Sequence, residues 1–359
     1  MNLDDLAIYA VCDGQDMYAQ IEALPDQLWA GWQLGQSLPL PEWTGIRQVL
    51  FAGMGGSAIG ADLMATYIQR KCQIPLWIHR DYGLPSWARG PETLVVVSSY
   101  SGNTEEAISS FEQALTSGCS CLVISKDGAL GRLAQERAVP WWKFEHQGQP
   151  RSAVGISFAL LLALFVRLKL IANPHSELED VLNAIRQQAV MLKRDIPVSS
   201  NPAKRMAGQM IDRSVVIFGS GILAPVARRW KTQINEVSKS MAQFEFLPEA
   251  DHNTLAGTSY PEELITRTMA IFLYAPSDAT RQHQRSDLTR QAFMVQGFNT
   301  DIFEASGNRP LSHLWTSLHF GDYVAYYLAI AYQVDPTPIP AIESFKEEMR
   351  LNLDWERNC

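Results

Sequence analysis

The chain has 359 residues, of which 47% are hydrophobic and 19% charged, with a formal net charge of −8 and a pI near 5.4. The length fits two globular domains and the composition excludes a disordered polymer. The acidic balance argues against nucleic acid or an anionic membrane as the main partner.

The amino-terminal stretch MNLDDLAIYAVCDG carries no basic-then-apolar targeting layout, so a cytoplasmic location is expected. Residues 1–44 read as a helical segment ending at the breaker LPLPEW (38–43). From residue 45 to 174 strands alternate with helices. RQVLFAGMGGSAIGADLMATYIQ (47–69) is a strand, a glycine turn and a helix; PLWIHRDY, TLVVVSS and SCLVISKDG supply three more strands. Such alternation implies a parallel sheet covered on both faces. The apolar run ISFALLLALFV (156–166) is too short to span a bilayer and fits a buried helix. An amphipathic linker helix follows within 175–200. A second α/β unit is expected over 201–335, and a proline-rich connector leads to a short helix within 336–359.

The second unit echoes the first. SVVIFGSGILAPVARRWKTQI (214–234) repeats the strand, Gly-x-Gly turn and helix of 49–69, and ELITRTMAIFLYAP stands where TLVVVSS stood. The fold class is therefore α/β, a duplicated doubly wound parallel sheet of flavodoxin-like type with flanking helices. The five cysteines (12, 72, 119, 121 and 359) contain no C-x-x-C and read as reduced thiols rather than a metal site.

Two turns carry the chemistry. GMGGSA (53–58) satisfies G-x-G-x-x-A after a strand, with Asp81 available as the ribose acid, so a nicotinamide-dependent oxidoreductase is one reading. SSYSGNTEE (98–106) ends a buried strand in hydroxyls and a glycine, which suits a phosphate at a helix start. An empty helix cap by Ser101 or Asn103 is the bland alternative. Taken together, the two turns face one crevice, and the Ser/Thr count favours a phosphomonoester over a pyrophosphate.

GMGGSAIG and SYSGNTEE resemble the turns of a sugar isomerase (SIS) domain, and the whole chain resembles a double-SIS protein. RRWKTQINEVSKSMAQFEFLPEADHNTLAG (228–257), HFGDYVAYYLAI and VDPTPIPAIESFK narrow the resemblance to the bifunctional phosphoglucose/phosphomannose isomerases. It implies an aldose–ketose isomerase of hexose 6-phosphates, without metal or organic cofactor, that passes a proton between C1 and C2 through an enediol. It implies Glu236 as the base, His252 and Lys346 in ring opening and Arg151 beside the enediolate. Gly56, Ser57, Ser99, Ser101 and Thr104 match the sugar-phosphate positions. It also implies a homodimer in which His252 reaches the partner's site. A non-catalytic SIS protein that senses a sugar phosphate is the alternative from another class; it would have no use for Glu236, His252 and Lys346 together. Two departures from the family pattern, Asp251 and Leu255 around His252 and the segment SKSMAQFEF, bear on the balance between glucose and mannose substrates. Asp251 could raise the pKa of His252 or cap a turn.

Overall fold

A computed structural model describes residues 2–357 of the chain. Three short helices come first: α1 (Ala7–Cys12), α2 (Met17–Glu22) and α3 (Leu24–Ser37). The first half then runs β1 (Gln48–Ala52), α4 (Gly55–Ile68), β2 (Leu76–His79), β3 (Thr93–Ser99), α5 (Glu105–Thr116), β4 (Ser120–Ser125), α6 (Gly128–Glu136), β5 (Trp141–Lys143) and α7 (Val154–Arg167). After α8 (His175–Ala189) and α9 (Pro202–Met210) come β6 (Ser214–Ser220), α10 (Ala224–Val237), β7 (Ala242–Leu247), α11 (Glu262–Ile265), β8 (Thr268–Tyr274), α12 (Thr280–Val295) and β9 (Asn299–Glu304). The chain closes with α13 (Pro310–Ala331) and α14 (Pro340–Arg357).

Both sheets are wholly parallel, in the orders β2-β1-β3-β4-β5 and β7-β6-β8-β9. The shared 2-1-3-4 order makes the second sheet a copy of the first without its last strand. Register makes the copy residue-specific. Gln48 pairs with Thr93 as Ser214 pairs with Thr268, so Gly55 corresponds to Gly221, and both take a positive φ, +47° and +50°. In a parallel sheet with helices on both faces the central strands are buried on both sides, and β3 is buried along its whole length.

Two helices that are apolar nearly all round, α7 and α13, sit between the sheets. Every residue from Leu311 to Ile330 of α13 is buried. Pro150–Arg167 passes a length-and-composition test for a membrane span, and 83% of it is buried, as a core helix should be. A single apolar core runs through both halves, from α4 and α7 to α10 and α13. Smaller clusters lie under α5 and α6 on the far face of the first sheet and under α12 on that of the second. The segment expected as a linker holds α8, whose Leu178, Val181, Leu182 and Ile185 are buried in the same core.

Some expectations need correction. The closing helix is 18 residues long rather than short, whereas the buried run 156–166 lies, as expected, inside a helix, Val154–Arg167, that follows a 3-10 turn at Pro150–Ala153. Strands β5 and β7 and helices α9 and α12 had not been anticipated. Cys12, Cys72, Cys119 and Cys121 are free thiols, and no metal-binding group of His, Cys, Asp or Glu occurs among the described residues. Cys359 lies outside those residues.

The amino-terminal helices dock through small residues. A Cβ at Gly31 would stand 3.0 Å from Ala159 Cβ, and one at Gly35 would stand 2.5 Å from Ala163 Cβ, so α3 and α7 touch almost backbone to backbone. Gly35→Leu is expected to lower stability by about 1–3 kcal/mol, the usual penalty of overpacking, read as a lower urea midpoint at unchanged slope.

Candidate active site

The hydroxyl turn is built from inside outward. Ser99 is buried, and its Oγ lies 2.8 Å from Thr104 Oγ1 while accepting the Gly102 N–H at 3.0 Å. Gly102 has φ +71°, and a Cβ there would collide with the Asp127 carbonyl oxygen. Only glycine lets this turn lie on the 127–128 turn, which the Leu130 N–H (2.9 Å to Gly102 O) and Ala129 N–H (3.0 Å to Asn103 Oδ1) then fasten. Thr104 is the residue before α5, yet its side chain makes no capping bond; Ser101 Oγ instead accepts the Asn103 N–H at 3.2 Å. The capping alternative therefore fails, because none of the hydroxyls closes the helix. The first N–H groups of α5 are left facing the turn, the arrangement that receives an anion.

The glycine turn closes the other side. Ser57 is buried, and its Oγ accepts the Tyr100 N–H at 3.2 Å, tying the start of α4 to the hydroxyl turn. A Cβ at Gly56 would lie 2.8 Å from Pro150 O and 3.1 Å from Arg151 N. The close approach that glycine permits is thus taken by the chain itself, which speaks against the dinucleotide reading of GMGGSA. Asp81 is exposed and accepts only the N–H of its neighbour Tyr82. Tyr100 Oη reaches Gly148 O at 2.9 Å and His146 Nδ1 at 2.9 Å. Gln20 of α2 accepts Ser152 Oγ–H at 2.6 Å on the same loop. The segment that carries Arg151 is therefore anchored to both turns.

Arg151 is 2% exposed. Its Nη2 donates to the carbonyl oxygens of Pro336 (2.9 Å) and Thr337 in the connector before α14. Its Nη1 stands 3.6 Å from Glu236 Oε2, an ion pair too long for a hydrogen bond, and neither Nη1 nor Nε has any hydrogen-bond partner among the described residues. Burial pulls the guanidinium pKa down, with Glu236 opposing. A buried cation with open donors beside a carboxylate is a prepared place for a negative oxygen.

Glu236 occupies the last turn of α10. Arg229, Gln233 and Glu236 follow at helical spacing, and Arg229 grips Asp322 of α13 with Nε and Nη2 at 3.2 and 2.9 Å. This pair sets the rotation of α10 that turns Glu236 toward Arg151. Burial pushes the Asp322 carboxyl up, and Arg229 opposes that shift. Arg229, Gln233 and Asp322 were not anticipated, although the i, i+4, i+7 spacing on α10 was visible.

His252 and Lys346 stand apart. Both are exposed, and neither makes a side-chain hydrogen bond or ion pair among the described residues. Glu236 ends α10 at the amino edge of the second sheet, whereas His252 follows β7, beyond its carboxyl edge. The six residues of β7 place about 20 Å between those edges at roughly 3.3 Å per residue. Asp251 is held by Arg285 Nη1 (2.9 Å) and Thr289 Oγ1 (2.7 Å) of α12, so it anchors the His252 turn to that helix rather than pairing with the histidine. Leu255 packs into the cluster beneath α12. The second sheet keeps no hydroxyl nest: Ser57, Ser99, Ser101 and Thr104 correspond to Leu223, Tyr274, Pro276 and Ala279.

Comparison with known proteins finds relatives along most of the chain. The profile of the bacterial phospho-glucose isomerase C-terminal SIS domain matches residues 199–349. A bifunctional phosphoglucose/phosphomannose isomerase from Caldicellulosiruptor bescii is 34% identical over 93% of this chain and 98% of its own length. Its namesake from Aquifex aeolicus is 32% identical over 86% and 92%. Among solved structures, a glucose-6-phosphate isomerase-like protein from Thermus thermophilus superposes with a TM-score of 0.62 at 19% identity, covering 94% of this chain and 98% of that one, a likeness of fold.

Breaking the buried pair should be severe. Asp322→Ala leaves Arg229, 1% exposed, without its counter-charge, and an expected loss of about 3–5 kcal/mol should appear in chemical denaturation.

Proposed function

The chain belongs to the family of bifunctional phosphoglucose/phosphomannose isomerases, and we propose that it interconverts glucose 6-phosphate and mannose 6-phosphate with fructose 6-phosphate. The observation that carries this reading is the Glu236 carboxylate 3.6 Å from an unpartnered, buried arginine nitrogen, on the segment anchored to the hydroxyl turn. A protein that only sensed sugar phosphates would have no use for that pairing.

The phosphate is received by Ser57, Ser99, Ser101, Thr104 and the open N–H groups of α5. Gly56 brings the Arg151 turn against this cradle, so the far end of an open-chain hexose lies near Glu236. Glu236 takes the proton from one of C1 and C2 and returns it to the other, and Arg151 holds the negative oxygen of the enediolate between the two events. Glucose and mannose 6-phosphate differ only at C2, whose configuration is lost in the planar enediolate. One base can serve both sugars if the C1–C2 unit turns relative to it. His252 and Lys346 open the sugar ring.

The protein works as a homodimer. Within one chain Glu236 and His252 sit at opposite edges of the second sheet, which supports the reading that the histidine acts in the partner's site. Helix α14 supports the same reading: Ile342, Phe345 and Met349 share one face and are 40%, 62% and 40% exposed, as a face awaiting a second copy would be.

Glu236→Gln keeps the side-chain shape but cannot take the proton. Turnover on both hexose 6-phosphates, followed by coupled assay, should fall on the order of a hundredfold or more, with fructose 6-phosphate binding little changed. Loss with one sugar only would require two separate bases and break the reading. Mixing inactive Glu236→Gln and His252→Ala subunits should restore part of the activity once subunits have exchanged; no recovery would argue against a shared site.

A further inference from the structure

Lys239 is the second residue past the end of α10, and it holds φ at +57°. That left-handed conformation suits glycine or asparagine at a helix end, and a lysine there strains the backbone. The conformation folds the side chain back over the helix it follows. Its Nζ donates to the carbonyl oxygens of Glu236 at 2.6 Å and Val237 at 3.3 Å. Both are last-turn carbonyls without intrahelical partners, at the negative end of the helix dipole. The charged groups that face Lys239 are Glu236 on α10, Arg151 from the turn before α7 and Asp335 from the connector. It therefore sits where three segments of the candidate active site meet.

We propose that Lys239 is a positioning residue for the proton-transfer step: its ammonium clamps the last turn of α10, keeps the Glu236 carboxylate aimed at Arg151 and places a second positive charge behind the base. This rests on the reading of Glu236 as the base. The residue as a whole is exposed, but partial burial of its ammonium, then the nearby Arg151, pulls the pKa down to about 8, with Asp335 and Glu236 opposing. The clamp is therefore charged below about pH 8 and loses its charge as pH rises through that value.

Two variants separate this role from ordinary capping. Glycine relieves the strained backbone, so Lys239→Gly should fold at least as stably as the parent by denaturant midpoint. Its kcat should nonetheless fall about tenfold or more on both hexose 6-phosphates, while the equilibrium Kd for fructose 6-phosphate stays within about twofold; the factor of ten corresponds to the loss of roughly one charged hydrogen bond. Lys239→Arg keeps a cation on a side chain that can reach the same carbonyls, so it should recover most of the kcat. It should also lack the decline in kcat expected of the parent above about pH 8, because guanidinium does not titrate there. An active parent with a Lys239→Gly variant of equal kcat overturns the proposal alone. So does a loss of kcat that the arginine variant fails to recover. A parent with no isomerase activity overturns the catalytic reading of Glu236 and this proposal with it.

Discussion

Arg151 is the contact on which the site depends. One guanidinium joins three distant pieces of chain: the turn before α7 in the first half, the end of α10 in the second, and the connector that leads to α14. Burying an arginine is expensive unless its donors are met, and here they are met unevenly. One nitrogen is satisfied by carbonyls of the connector. The other faces Glu236 without a hydrogen bond. The connector can accept because Pro336 and Pro338 keep it out of a helix, so its carbonyl oxygens are not consumed by local bonds. The proline-rich sequence and the arginine thus answer each other across 185 residues.

The duplicated sheet explains why one chain has a single cradle. Both copies keep the strand order and the positive-φ glycine after their first strand, since those make the fold. Only the first keeps hydroxyls at the turn and a Gly56 that admits the Arg151 segment. In the second copy leucine, tyrosine, proline and alanine fill the equivalent positions, and its α10 is used differently. The helix presents its carboxyl-terminal turn, with Glu236, to the cradle of the other half. In the proposed function one copy holds the ligand's anionic end and the other supplies the reacting carboxylate, a division a symmetric pair of sites could not make.

Much of this was legible in the sequence because it is local. The alternation of apolar strands and helices, the two glycine turns and the echo between 49–69 and 214–234 all depend on residues close in the chain, and the parallel sheets follow from them. The hydroxyl turn was visible too, but the sequence withholds that no hydroxyl caps α5. Strand β7 was obscured because AQFEFL (242–247) mixes polar and apolar residues at a partly exposed sheet edge. Short β5 offered only three residues. What lay beyond reach was contact between distant segments: Arg151 with Glu236, Arg229 with Asp322, and Asp251 with α12 rather than with His252. Such pairs form by tertiary approach and leave no periodic trace. The helical spacing of Arg229, Gln233 and Glu236 was the one local clue to the network beneath Glu236.

The direction of α10 and β7 leads to a final consequence. A helix that packs antiparallel to its strand must carry its last residues to the strand's amino edge, and the strand must carry whatever follows it to the opposite edge. Glu236 lies near the first of those ends and His252 beyond the second, so the fold of one chain sets them at opposite edges of the sheet. Reversing that separation would require unpairing β7 from β6, which are bonded along all six residues of β7. If both residues act on one substrate, the second must come from another copy, and the exposed apolar face of α14 gives such a copy a place to dock. The case for two chains thus joins the direction of a β-α-β unit to the role that the resemblance implies for His252.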